Sequence, residues 1–125
     1  YNIFELRNAI GSGNLTKALV ISSYFSSNSK QYPIQLTLSS LFNYFIQIFQ
    51  LHSLSNKSEN NVSSILGINK FFVKDYFAAS KVYSMKKIST IISLIKDCDL
   101  KSKGAGRSNS SEKDILRQLL IQIMN

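Results

Sequence analysis

The stretch that decides the fold is PIQLTLSSLFNYFIQIFQLH, residues 33–52. Its apolar residues recur at helical spacing and cover most of the helix circumference instead of a single stripe. Pro33 suits the first position of a helix, because the N–H that proline lacks would have no partner there. A helix that is apolar nearly all round is surrounded by other helices. We therefore predict a long central helix from Pro33 to about His52.

Two shorter helices are predicted before it. The first carries apolar residues at Phe4, Leu6, Ala9 and Ile10. The segment Gly11-Ser12-Gly13 ends this helix, because glycine accepts the turn conformations that close helices. Asn14 is a good N-cap residue and starts the second helix, which continues to the Ser/Asn cluster at residues 26–29. These two helices are expected to pair antiparallel.

The segment 58–83 predicts a short helix, a turn and a second helix. Ser58 caps the short helix, which Gly67 ends through a left-handed turn, and Asn69 caps the next helix. In that helix one face is expected to be apolar, and its residues are Phe72, Tyr76, Ala79 and Tyr83. The lysines Lys70, Lys74 and Lys81 form another face.

Two further helices complete the pattern. One runs from Met85 to about Lys101 along an isoleucine ladder, and the last is started by Ser111 or its neighbour. Residues 104–110 are expected to form a flexible loop between them. No sustained alternation of apolar and polar residues indicates a strand. The prediction is an all-α fold, a compact bundle of about six or seven helices in one domain, residues 1–125.

Composition fits a folded protein of a reducing compartment. Hydrophobic residues make up 44% of the chain and charged residues 18%, a balance that permits a buried core. The single cysteine, Cys98, cannot form an internal disulfide. No apolar run reaches the roughly 18 residues of a membrane span, and no leader-like segment opens the chain. We expect a soluble protein of the bacterial cytoplasm with no membrane partner.

The charge is basic and concentrated in the middle of the chain. The formal net charge is +8, and residues 57–107 contain ten basic against four acidic side chains. Such a region attracts polyanions or acidic protein surfaces, but it does not identify which.

Catalytic chemistry is the interpretation with the least support. His52 is the only histidine and has no neighbouring base, acid or cysteine in the sequence, and Cys98 continues an isoleucine ladder. Gly104-Ala105-Gly106 follows a predicted helix, whereas a phosphate-binding loop follows a strand and ends in Lys-Ser/Thr. We predict no catalytic residue, no metal site and no cofactor.

The segment 58–83 also has the outline of a helix-turn-helix, which makes a basic DNA-binding domain the alternative hypothesis. Its second helix begins Lys70-Phe71-Phe72-Val73, without the Arg, Asn or Gln that read base edges. Without base-reading residues, nucleic-acid binding by this helix would rest on contacts between lysines and phosphates. The other interpretation is that the lysines form a basic face that contacts only water. The candidate contact residues are Lys70, Lys74, Lys81, Lys86 and Lys87.

Several short segments occur in an ordered set along the chain. They are ILGINKFFVK at 65–74, Ala78-Ala79, Tyr83-Ser84 and residues 99–104, preceded by Phe4-Glu5-Leu6, Ala9-Ile10, Lys17-Ala18-Leu19 and the Gln47, Phe49, Leu51 end of the long helix. Together they resemble the C-terminal domain of the delta subunit of the bacterial DNA polymerase III clamp loader. The family often has proline where Lys70 stands, which here leaves helix initiation to Asn69.

The resemblance implies a non-catalytic role in DNA replication. In this family the C-terminal domains form a ring, the collar, which holds delta, delta-prime and the ATPase subunits together while the sliding clamp is loaded onto primed DNA. Delta grips the clamp through an N-terminal domain, expected to lie outside this chain together with an ATPase-like domain, and it lacks ATPase activity itself. The parent subunit belongs to a DNA-directed DNA polymerase holoenzyme, and contact with DNA would be indirect.

A collar domain needs apolar faces that dock against its neighbours. We expect the Phe71–Phe77 helix and the final helix to contribute to such contacts. The candidate interface residues of the final helix are Leu119, Leu120, Ile123 and Met124.

Overall fold

The computed structural model describes residues 1–104 and 111–125, and these residues form seven α-helices without a strand. The helices are α1 (Ile3–Gly11), α2 (Leu15–Ser27), α3 (Ile34–Ser53), α4 (Glu59–Leu66), α5 (Lys70–Val82), α6 (Met85–Ser102) and α7 (Glu112–Met124). The predicted all-α class and its helix order are confirmed. The predicted loop at 104–110 and the Gly104-Ala105-Gly106 segment lie, apart from Gly104, outside the described residues.

The helices begin where the sequence places polar caps. The side chains of Asn14, Ser58, Asn69 and Ser111 each accept a hydrogen bond from a backbone N–H in the first turn that follows. Gly67 has a φ of 67° and closes α4 in the left-handed region that glycine adopts without steric cost. Pro33 is the N-cap of α3 and not its first residue. Its fixed φ still prepares the chain for the helix that follows.

The long helix α3 lies at the centre, but it is not enclosed on every side. It packs against α1, α4, α5 and α6, while α7 packs against α2 and α6. Its buried residues are Ile34, Thr37, Leu38, Leu41, Tyr44, Phe45, Ile48 and Leu51. Leu36 is exposed, and Phe42 and Phe49 are half-buried, so the neighbouring helices cover α3 incompletely. The expectation of burial nearly all round was therefore too strong.

Tyr83, the C-cap residue of α5, joins three helices. Its hydroxyl donates a buried hydrogen bond to the Ile10 carbonyl of α1 at 2.8 Å. Its own carbonyl accepts a hydrogen bond from His52 Nε2 of α3 at 2.8 Å, which requires that this nitrogen carry the proton. The edge of its ring packs against Phe45, with 5.3 Å between ring centroids. The lone histidine thus has a structural partner in the core.

Two predicted apolar faces are corrected by the structure. Phe4 and Phe72 were expected on buried faces, yet 64% and 47% of their surfaces are exposed. In α5 the buried side is formed by Val73, Tyr76 and Ala79, so Val73 takes the place expected of Phe72. The reason is the direction from which α1 and α3 approach α5, which helical periodicity alone does not set.

Gly11 allows α1 to approach its neighbours closely. It is buried in the last turn of α1, and a Cβ built there would collide with the Tyr44 hydroxyl and come within 3.2 Å of the Ala79 Cβ. A Cβ at this point would force Tyr44 or α5 to shift.

We expect Gly11→Ala to destabilise the protein despite the better helix propensity of alanine. Alanine gains at most about 1 kcal/mol in a helix, whereas overpacking a core costs about 1–3 kcal/mol. In a Tyr44→Phe background, where the colliding hydroxyl is absent, the same substitution should cost less, because only the 3.2 Å contact with the Ala79 Cβ remains tight. Urea unfolding of the four proteins of this double-mutant cycle measures the coupling, and additive effects would contradict the proposed collision.

The buried Tyr83 should make stability fall at alkaline pH. Burial raises the pKa of Tyr83 from 10.0 to about 12. A folded-state pKa above the unfolded one means that the stabilisation is complete below pH 10 and is lost as the pH rises through about 12. Tyr83→Phe should remove part of this decrease and lower stability at neutral pH, because the buried bond to the Ile10 carbonyl is lost and that carbonyl keeps only the Gly13 N–H as a donor. An alkaline slope unchanged by Tyr83→Phe in urea unfolding would argue against this role.

Candidate subunit interface

Three phenylalanines gather on the surface where α1 and α5 lie side by side. Phe4 belongs to α1, while Phe71 and Phe72 form the first turn of α5. Phe71 is 82% exposed, the highest value among the exposed large apolar side chains. Its ring meets that of Phe72 edge-on at a centroid distance of 5.6 Å. We call Phe4, Phe71 and Phe72 the aromatic patch.

A small cleft opens beside the aromatic patch. One wall comes from α1, the other from α5, and the floor from α3; the turn after α4 borders one end. Its lining includes Phe4, Arg7, Asn8, Tyr44, Gln47, Phe72, Asp75 and Tyr76. The volume, about 280 Å³, is just below the roughly 300–1,000 Å³ typical of small-molecule sites. A cleft of this size has room for a side chain of another molecule.

Arg7 lies between two aromatic rings at the edge of the cleft. Its Nη2 donates to the Ser40 carbonyl of α3 at 2.9 Å. Its guanidinium carbon lies 5.4 Å from the ring centroid of Tyr44 and 5.9 Å from that of Phe4, within the range of cation–π attraction. The buried Nε has no hydrogen-bond partner among the described residues. Arg7 thus holds α1 against α3 and supports Phe4 in its exposed position.

The floor of the cleft is a paired polar network. The Gln47 amide donates to the Leu66 carbonyl at 3.0 Å, and the Tyr76 hydroxyl donates to Gln47 Oε1 at 2.9 Å. Burial raises the pKa of Tyr44 and the pKa of Tyr76 above their ordinary values, so both hydroxyls stay neutral at physiological pH. Asp75 stands on the wall opposite to Arg7 and gives the cleft one charge of each sign. The amide of Gln47 and the hydroxyl of Tyr76 on the floor are thus paired within the chain.

The structure groups three of the five predicted lysines. Lys70, Lys74 and Lys81 are all exposed on one face of α5, as expected from their spacing. Lys74 and Lys81 also line a shallow groove between α4 and α5. Lys86 and Lys87 lie in the first turn of α6, and the Nζ of Lys87 donates to the Asn125 carbonyl at 2.7 Å. The role of these lysines in nucleic-acid contact stays a prediction.

The predicted interface residues of the last helix are mostly part of the core. Leu119, Leu120 and Ile123 are buried where α7 packs against α2 and α6. In this structure they have no surface to offer a neighbour, and of the predicted set only Met124 is half-buried. An apolar periodicity is the same whether its partner is a helix of the same chain or of another. The role of these residues in subunit contact stays a prediction.

The aromatic patch is the feature that periodicity alone missed. Phe4 and Phe72 were assigned to buried faces, and Phe71 was named only as part of a helix expected to pack. One signal was available: two adjacent phenylalanines point to different sides of a helix, so both could not join the Tyr76–Ala79 face.

Neither a membrane span nor a metal-binding cluster is present in residues 1–104 and 111–125. No helix there is long and apolar enough to cross a membrane. No group of three or more histidine, cysteine or acidic side chains in that part of the chain is placed to hold a metal ion.

Comparison with known families gives one result. A family model described as the C-terminal domain of the DNA polymerase III delta subunit matches residues 1–123. Comparisons with curated proteins and with solved structures gave no match.

Proposed function

Because this chain belongs to the family formed by the C-terminal domain of the DNA polymerase III delta subunit, we propose that it is a non-catalytic assembly domain of a bacterial clamp loader. Its role in DNA replication is to hold delta in the collar together with delta-prime and the ATPase subunits. The sliding clamp and primed DNA would be reached through the assembled loader. The proposed location is the bacterial cytoplasm, where replication takes place.

The observation that carries this proposal beyond the family match is the aromatic patch. Protein interfaces are enriched in aromatic side chains at their centres, and a few such anchors supply most of the binding energy. A folded domain gains little from leaving Phe71 in water, since burying a phenylalanine side chain is worth about 1.5–3 kcal/mol. The adjoining cleft adds a place where a partner's side chain can insert. Exposure on this scale favours a surface that another protein covers.

We expect the chain to co-elute with the delta-prime and ATPase subunits of the same organism, and the aromatic patch to be required. Phe4→Asp with Phe72→Asp should weaken this binding at least about tenfold, because two anchors are replaced by charges. Both positions are exposed, so circular dichroism and thermal unfolding should change little.

Leu100→Asp provides the matched control. Leu100 is a large apolar residue of α6 that is 56% exposed, and its substitution should leave binding close to wild type. Co-elution of the Phe4/Phe72 double variant with wild-type affinity would argue against the aromatic patch. Failure of the unaltered chain to bind any of these subunits would argue against the assembly role itself.

A basic DNA-binding domain is the second candidate, and one observation favours it. Lys70, Lys74 and Lys81 project from one exposed face of α5, in the second helix of the 58–83 segment. Against it, the exposed side chains beside Lys70 in the first turn are Phe71 and Phe72, which cannot read base edges by hydrogen bonding. The Asn69 side chain is occupied by the Phe71 N–H that it caps.

If this candidate is correct, duplex DNA should bind with an affinity that falls steeply with salt. Replacing Lys74 and Lys81 by methionine should reduce the salt slope by about one unit for each phosphate that is no longer neutralised. Fluorescence anisotropy with a labelled duplex measures both quantities. Weak binding that is insensitive to these substitutions would eliminate the lysines of α5 as a DNA surface.

A further inference from the structure

The outer face of α5 presents an apolar row beside a basic row. Phe71, Ala78 and Val82 are exposed and follow one another at intervals of seven and four residues, which places them along one line of the helix. Lys70, Lys74 and Lys81 form a second line by their helical spacing, and Lys74 and Lys81 border the groove toward α4. The opposite flank of the helix is occupied by the cleft and α1. We call Phe71, Ala78 and Val82 the apolar row.

We infer that this face of α5 is a docking surface for an amphipathic helix of a neighbouring subunit, whose apolar stripe covers the apolar row and whose acidic side chains face the three lysines. The inference rests on the proposed function and names the chemistry of the partner.

The shape of the apolar row fits a helix. Its three residues span eleven positions, about 16 Å along the axis at 1.5 Å per residue, which is three turns. The small Ala78 lies between Phe71 and Val82 on this line, and the exposed Asp75 lies between Phe71 and Ala78. Helices pack by placing the ridges of one into the grooves of the other, and a small residue at the crossing lets the axes approach.

The lysines of α5 indicate which side chains the partner helix carries beside its apolar stripe. In the described parts of the chain the salt bridge that forms joins Lys103 to Asp99, so the lysines of α5 have no carboxylate partner there. Glu59 shares the α4–α5 groove with Lys74 and Lys81 without forming an ion pair, and Asp75 lies on the cleft side. A partner helix with carboxylates along one edge would meet the lysines as it covers the apolar row. Opposite potentials of this kind mainly raise the association rate and select the correct partner.

A protein fits this face better than a nucleic acid does. Phosphates would pair with the three lysines, but they would leave Phe71 and Val82 exposed to water. An amphipathic helix covers both rows at once, and recognition by apolar anchors at helical spacing is a recurring mode of binding. Tight binding of duplex DNA is therefore the alternative result that the test can give.

The test measures binding of this chain to the delta-prime and ATPase subunits of the same organism, each probed separately, at low and at physiological salt. Phe71→Ser should lower the affinity at least about tenfold at both salt concentrations, because it removes an apolar anchor. Lys74→Met with Lys81→Met should lower the affinity mainly at low salt and flatten its salt dependence, because screening already weakens the charge attraction at higher salt.

The matched controls make the same kinds of substitution at exposed positions outside α5. Leu100→Ser removes an exposed apolar side chain from α6, and Lys96→Met with Lys113→Met removes two exposed lysines outside α5. These variants should bind like the wild type. Circular dichroism verifies that every variant keeps its helices.

The outcomes separate this inference from the proposed function. If the unaltered chain binds one of the subunits but the α5 variants bind equally well, the assembly role stands and the docking face is wrong. Loss of binding in the lysine variants alone, combined with tight binding of a duplex DNA probe, would assign the basic row to DNA and overturn the inference. If the unaltered chain binds none of the subunits, the proposed function fails and the inference fails with it.

Discussion

The arrangement of α1, α3 and α5 depends on the position of Tyr83. This residue stands at the end of α5, donates to the Ile10 carbonyl of α1 and accepts from His52 of α3, so one side chain and one carbonyl connect three helix ends. The Tyr83–Ile10 bond is buried and the His52–Tyr83 bond is part-buried. A polar group left unpaired in buried surroundings would cost about 1–3 kcal/mol. The close approach at Gly11 also fixes the position of α1, because it lets this helix pack against Tyr44 and Ala79. The relative orientation of the three helices follows from these interactions.

This orientation determines which side of α5 faces solvent. Once Val73, Tyr76 and Ala79 are directed toward the interior, Phe71 and the lysines must point outward. Phe4 is turned outward by the same packing, with Arg7 held between it and Tyr44. The aromatic patch and the apolar row are therefore exposed because other side chains of α1 and α5 fill the core. A surface of this kind agrees with the proposed assembly role, in which the domain meets other chains.

Much of the fold could be predicted because helix formation is a local matter. Asn14, Ser58, Asn69 and Ser111 cap helices through bonds to residues two or three positions away, and Gly67 ends α4 by its own backbone freedom. The ordered segments that resemble the clamp-loader family were also visible, and the family match agrees with them. The candidate interface was harder to predict from the sequence. The periodic leucines of α7 looked like a docking face, yet they are enclosed by α2 and α6, whereas Phe4 and Phe72 looked like core and are exposed.

The sequence by itself determined the all-α class, the order of the helices and most of their ends, because the hydrogen bonds and caps responsible connect residues a few positions apart. Only the tertiary structure decided which apolar side chains are buried. That choice depends on interactions between distant parts of the chain, such as the Tyr83–Ile10 bond across 73 residues and the Arg7–Ser40 bond across 33. Helical periodicity shows that an apolar face exists, but the neighbour that covers it is selected by the packing of the whole domain.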